Sequence, residues 1–175
     1  AILDLERAIG LSPDSEDSYQ QLALLHVALK DTANAVAVMA RGIKANPSSV
    51  MLRVNQGGIF HALGMSDEAL ASYRRAIAAA PADPGPYRAM GFMAAEIESM
   101  QVAQTAWEKA RDLAPSDLEV RDALAQLYMA LRDPASAVAE MKAILDIAPN
   151  ASRVRFRLAE IYAQSANPSE AKTEL

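Results

Sequence analysis

Two histidines, His26 and His61, and three arginines, Arg88, Arg153 and Arg157, are the side chains in this sequence whose chemistry first asks for a role. Imidazole binds metals and moves protons near neutral pH. Arginine forks pair with carboxylates. A catalytic or metal centre also needs converging partners, and the pattern around the histidines does not supply them. There is no cysteine, and neither histidine sits in a His-Glu-x-x-His or similar spacing. The lack of cysteine also excludes disulfides and thiol catalysis. Gly57-Gly58 resembles a phosphate loop only superficially, because no Gly-Lys-Ser/Thr follows it. The sequence therefore predicts no enzyme, no cofactor and no metal site. For the arginines two readings compete: a cluster that grips an acidic peptide, and neutralisation by Glu119, Asp122 and Glu160 nearby.

The elements that must position these side chains are legible from periodicity. Half of the 175 residues are apolar (51%) but only 5% are aromatic, and the apolar share is mostly Ala, Leu, Val, Ile and Met. Small and unbranched side chains of this kind favour closely packed helices. A net charge of −5 argues against a nucleic-acid binder. No apolar run reaches the length of a membrane span.

Five of the nine prolines, Pro13, Pro47, Pro81, Pro115 and Pro149, stand on one 34-residue comb. Three more combs run in phase with it. Alanine fills Ala1, Ala35, Ala69, Ala103, Ala137 and Ala171. Small residues fill Ala23, Gly57, Gly91, Ala125 and Ala159. Large apolar residues fill Leu5, Met39, Tyr73, Trp107, Met141 and Leu175. Each period carries two helical faces, such as Gln56, Ile59, Phe60, Leu63 and then Ala69, Tyr73, Ala76, Ile77. Turns part them at Gly64-Met65-Ser66-Asp67, and Asp133-Pro134 and Asn167-Pro168 read as helix starts. No segment reads as a strand.

A 34-residue helix hairpin with these slots resembles the tetratricopeptide repeat (TPR) family. Arg121, Leu124, Ala125, Tyr128, Ala137, Met141 and Pro149 fit its pattern, as do Tyr87, Met90, Gly91, Ala103, Trp107 and Pro115. The leading aromatic slot departs from it, holding Arg53, Arg121 and Arg155 beside Tyr19 and Tyr87. The slot of the family's packed tyrosine holds His26, Phe60, Ala94, Tyr128 and Tyr162, which implies a packing role for His26. The expected fold is all-α, a right-handed superhelical solenoid of about 11 helices, because one hairpin cannot bury its apolar face alone. The expected organisation is a single array: a second helix over 1–15, full repeats at 16–49, 50–83, 84–117 and 118–151, and a partial repeat at 152–175. These phases predict a fragment of a longer protein, with a bacterial source suggested by the alanine content. The Pro-rich stretch 80–87 is expected to be an ordinary inter-repeat turn and not a hinge.

The resemblance implies a concave groove lined by the first helix of each hairpin, with a protein or peptide as ligand. The candidate groove residues are Leu24, Val54, Asn55, Arg88, Phe92, Asp122, Gln126, Met129, Arg153, Phe156 and Arg157. Leu24, Val54, Phe92, Met129 and Phe156 form an apolar thread whose members either meet a peptide or complete helix packing. Asn55 matches the middle asparagine of the clamp used by chaperone-tail-binding TPR proteins, but Gln20, Leu24, Gly85 and Ala89 do not match its neighbours. One window on, Arg88, Arg153 and Arg157 stand at clamp positions while Phe92 and Ala123 replace the asparagines. Two alternatives stand beside the scaffold: self-association through open solenoid ends into a homo-oligomer, and an appendage of an enzyme or an envelope export or secretion machine. The compartment and the partner are not encoded in any motif.

Overall fold

A computed structural model of the chain describes residues 1–164, and among them all regular structure is helical. Ten helices are present in this range. The eleventh expected helix, over 169–175, lies outside the described residues, together with Asn167-Pro168, Ala171 and Leu175.

The chain forms two compact units divided between Glu98 and Ser99, each with its own packing. The first holds α1 (Ile2–Leu11), α2 (Glu16–Ala28), α3 (Thr32–Ala45), α4 (Val50–Ala62), α5 (Ser66–Ala79) and α6 (Pro84–Glu96). The second holds α7 (Met100–Leu113), α8 (Leu118–Ala130), α9 (Pro134–Ile147) and α10 (Ser152–Gln164). The division falls beyond the Pro-rich stretch, which lies inside the first unit. Starts at Glu16, Val50, Pro84, Leu118 and Ser152 each follow the last by 34 residues, as do starts at Thr32, Ser66, Met100 and Pro134.

Within the first unit α2 packs on α3 and α4 on α5, and α2, α4 and α6 are neighbours in series. Within the second, α8 packs on α9, with α7 against α8 and α10 against α9. The slots explain the pairing. Gly57 of α4 is buried under Tyr73 of α5, and Ala23 and Ala125 are fully buried. Met39, Tyr73, Trp107 and Met141 fill the spaces between helices and are all 5% exposed or less. Small against large is ridge-into-groove packing.

Both kinds of turn repeat. Where each first helix ends, Lys30, Gly64, Glu98 and Arg132 adopt left-handed φ of 58, 75, 59 and 60°. The following amide then bonds back five residues, Asp31 N–H to the carbonyl of His26, Met65 to Phe60 and Asp133 to Tyr128. This is the Schellman closure, which glycine fits without strain. Three of the four positions hold side chains that bear the left-handed cost.

At the other turn Asp83 caps α6 through Gly85 N–H, Ser49 caps α4, and Asp117 caps α8. Pro84 stands at the first position of α6, where no helical hydrogen bond is lost. The carbonyls of four comb prolines each receive a bond from the leading slot six residues on. Tyr19 donates to Pro13 at 3.1 Å, Tyr87 to Pro81 at 3.3 Å, Arg121 Nε to Pro115 at 2.7 Å, and Arg53 to Pro47. Arginine therefore replaces the aromatic residue at this slot by making the same hydrogen bond.

Candidate functional site

The first unit carries its candidate residues on α2, α4 and α6. Leu24 is 47% exposed. Val54, one turn into α4, is half-buried and packs on the cluster of Phe60, Tyr73 and Met93. Asn55 is half-buried beside it, and its Nδ2 is fully buried without a hydrogen-bond partner. Such an amide donor costs roughly 1–3 kcal/mol until an acceptor reaches it. Arg88 and Phe92, one turn apart on α6, are both half-buried, with the guanidinium carbon 5.5 Å from the ring centroid. The Phe92 ring thus already carries a cation.

The second unit gathers more. Asp122 of α8 accepts from Gln126 Nε2 at 2.6 Å and from Arg157 of α10 at 3.1 Å. An open cavity of about 350 Å³ lies beside this group, lined by Gln126, Met129, Met141, Arg157, Glu160 and Ile161. Its floor is apolar, from Met141 and Ile161, and its rim carries an amide, a guanidinium and a carboxylate. Met129 is 38% exposed at its edge. Phe156, 57% exposed, and Arg153, exposed, lie on α10 but do not line the cavity. So Asp122, Gln126, Met129 and Arg157 come together, and Arg153 and Phe156 stand apart from them. Met141 was legible only as a core slot; nothing in a helical period signals that one edge of a packed residue faces a cavity.

The histidines hold structural positions. His26 is buried with Nδ1 3.1 Å from Asp31 Oδ2, at the turn before α3. His61 Nε2 lies 2.7 Å from Glu96 Oε2, tying α4 to α6. Two ion pairs join successive repeats at the same 35-residue separation, Glu6–Arg41 and Asp122–Arg157. The Arg41 fork holds the Glu6 carboxyl below its ordinary range, chiefly through its hydrogen bond. Among the described residues no group of three acidic, histidine or cysteine side chains converges on a metal position, and no helix is long and apolar enough to cross a membrane.

Two family models, both described as tetratricopeptide repeat, match residues 21–84 and 128–175. Among curated proteins none is significantly similar in sequence. Similar folds are found in several known structures. MamA matches with a TM-score of 0.71 at 17% identity, over 93% of this chain and 88% of that one. YrrB, described as a TPR protein with an unusual peptide-binding site, matches with a TM-score of 0.67 at 17% identity, over 99% of this chain and 90% of that one. PilF of Pseudomonas aeruginosa matches with a TM-score of 0.69 at 20% identity, over 91% and 72%. At these identities the likeness is one of fold.

Proposed function

We propose that this chain, which belongs to the tetratricopeptide repeat family, is a non-enzymatic protein–protein interaction scaffold that holds an extended peptide segment of a partner on its first helices. The repeat division 16–49, 50–83, 84–117 and 118–151 belongs to the same proposal. The observation that carries it is the cavity of the second unit. At about 350 Å³ it lies at the small end of the range of ligand pockets. Met141 and Ile161 would take an apolar anchor, while Gln126, Arg157 and Glu160 would meet the peptide backbone around it. The described peptide-binding site of YrrB, a protein of similar fold, adds support by analogy.

The test is a peptide selected from a random display library against the whole chain, with its affinity compared between the chain and Met129→Glu. Met129 is partly exposed, so the substitution leaves the fold intact. A loss of about tenfold or more is expected, as for an anchor at the centre of a contact. Undiminished binding to Met129→Glu and to Gln126→Ala would refute the groove as the site.

A further inference from the structure

We propose that the first unit carries a second binding site, outside the groove, for the carboxylate of an acidic peptide. It is a pocket of about 360 Å³ lined by Ala40, Ile43 and Lys44 of α3, Arg53 and Gln56 of α4, and Arg75 of α5. None of the groove residues lines it. Three of its six side chains are cationic and none is acidic, in a chain whose net charge is −5. Lys44 and Arg75 are exposed and form no ion pair with any described residue. Arg53 donates to the carbonyls of Ser49 and Pro47, which leaves its charge uncompensated.

The second unit shows what the same register holds when it is complete. Two repeats on from Arg53 stands Arg121, and two repeats on from Ser72 stands Glu140. Glu140 is 6% exposed and its two oxygens are divided between guanidiniums, Oε1 to Arg111 at 2.7 Å and Oε2 to Arg121 at 2.5 Å. Glu108 and Asp112 take the places of Ala40 and Lys44. The repeat frame thus seats a glutamate carboxylate against the arginine of the leading slot. In the first unit Ser72 is too short to fill that role and instead donates to Gln56 Oε1 at 3.3 Å. Arg53 keeps the place of Arg121, Ile43 stands where Arg111 stands, and Lys44 and Arg75 supply cations of this pocket's own, while the carboxylate is gone.

An external glutamate side chain restores the missing partner. Its carboxylate meets Arg53, Lys44 and Arg75, and its methylenes lie on Ala40 and Ile43. Charge-assisted contacts of this kind are about twice as strong as neutral ones. The pocket is larger than a free carboxylate or phosphate fills, which favours a side chain presented by a polypeptide.

The experiment titrates the whole chain with a labelled peptide of glutamate, glycine and serine, and with its glutamine counterpart, while amide shifts and anisotropy are recorded. Expected are shifts around Lys44, Arg53 and Arg75 with the glutamate peptide alone, weakening with salt. Lys44→Gln with Arg75→Gln should weaken binding about tenfold or more. Ala40→Glu should do the same by placing an internal carboxylate one helical turn before Lys44; both variants change exposed positions, so folding is preserved. Equal binding of the glutamine peptide, shifts confined to the groove, or unchanged affinity in the variants would overturn the proposal. Free glutarate binding as tightly as the peptide would overturn the polypeptide source. Failure of the groove would show as absent shifts on α8 and α10 and leaves this result separate.

Discussion

Adjacent glycines in α4 should respond to the same substitution with opposite sign. A Cβ on Gly57 would lie 2.7 Å from Tyr73 Cε1 and Cζ and 2.9 Å from Cδ1, distances that real side chains do not adopt. Tyr73 is 4% exposed and enclosed by Phe60, Ala69 and Met93, so its ring has no solvent to retreat into. Helices α4 and α5 must spread instead. Overpacking of this kind costs about 1–3 kcal/mol. Replacing a helical glycine by alanine returns about 1 kcal/mol. Gly57→Ala should therefore destabilise by up to about 2 kcal/mol net, which lowers Tm by up to about 8 °C for a chain of this size. A Cβ on Gly58 meets nothing nearer than Tyr73 Oη at 3.9 Å, and the position is exposed. Gly58→Ala keeps only the helical gain and should stabilise by about 0.5–1 kcal/mol. Urea denaturation followed by circular dichroism, with calorimetry alongside, reads both. If Gly57→Ala matches or exceeds the parent in stability, close approach of the hairpin helices is not what the small slot provides.

Glu140→Gln leaves Arg111 and Arg121 facing a neutral amide. The expected loss in urea denaturation is about 2–3 kcal/mol, below the usual cost of breaking a buried pair because Asp112 and the Pro115 carbonyl still receive these guanidiniums. A loss under about 0.5 kcal/mol would mark the triad as an ordinary surface pair. Burial, and then its hydrogen bond to Glu108, push Tyr128 up to about 12 from an ordinary 10.0. The unfolded chain ionises this tyrosine first, so its contribution is complete below pH about 10 and is lost as pH rises toward about 12. Tyr128→Phe should flatten that part of the alkaline stability profile; an unchanged slope would assign it to other groups.

The repeat was written plainly in the sequence because packing demands it at every period. Proline, small and large slots each answer to one steric requirement, and each recurs where α2 to α9 begin, cross and end. Two local features were not legible. The left-handed turn is signalled by Gly64, but Lys30, Glu98 and Arg132 adopt the same φ without any residue cue. Arg53 and Arg121 at the leading slot depart from the family pattern in residue type but keep its bond to the proline carbonyl. The candidate groove was legible as a face but not as a site. Periodicity places Gln126, Met129 and Arg157 on one side of their helices. It does not say that Asp122 ties Gln126 and Arg157 together, or that Val54 is half-buried against Phe60, Tyr73 and Met93. Those outcomes depend on side-chain reach across repeats. The cationic pocket escaped notice for a related reason: its significance lies in a comparison between Ser72 and Glu140, two repeats apart.

Amide chemical-shift mapping of the chain with a display-selected peptide tests the scaffold reading most directly. The largest shifts should fall on Gln126, Met129 and Arg157. Shifts confined to α9 and the inter-repeat turns, with α8 and α10 silent, would contradict it.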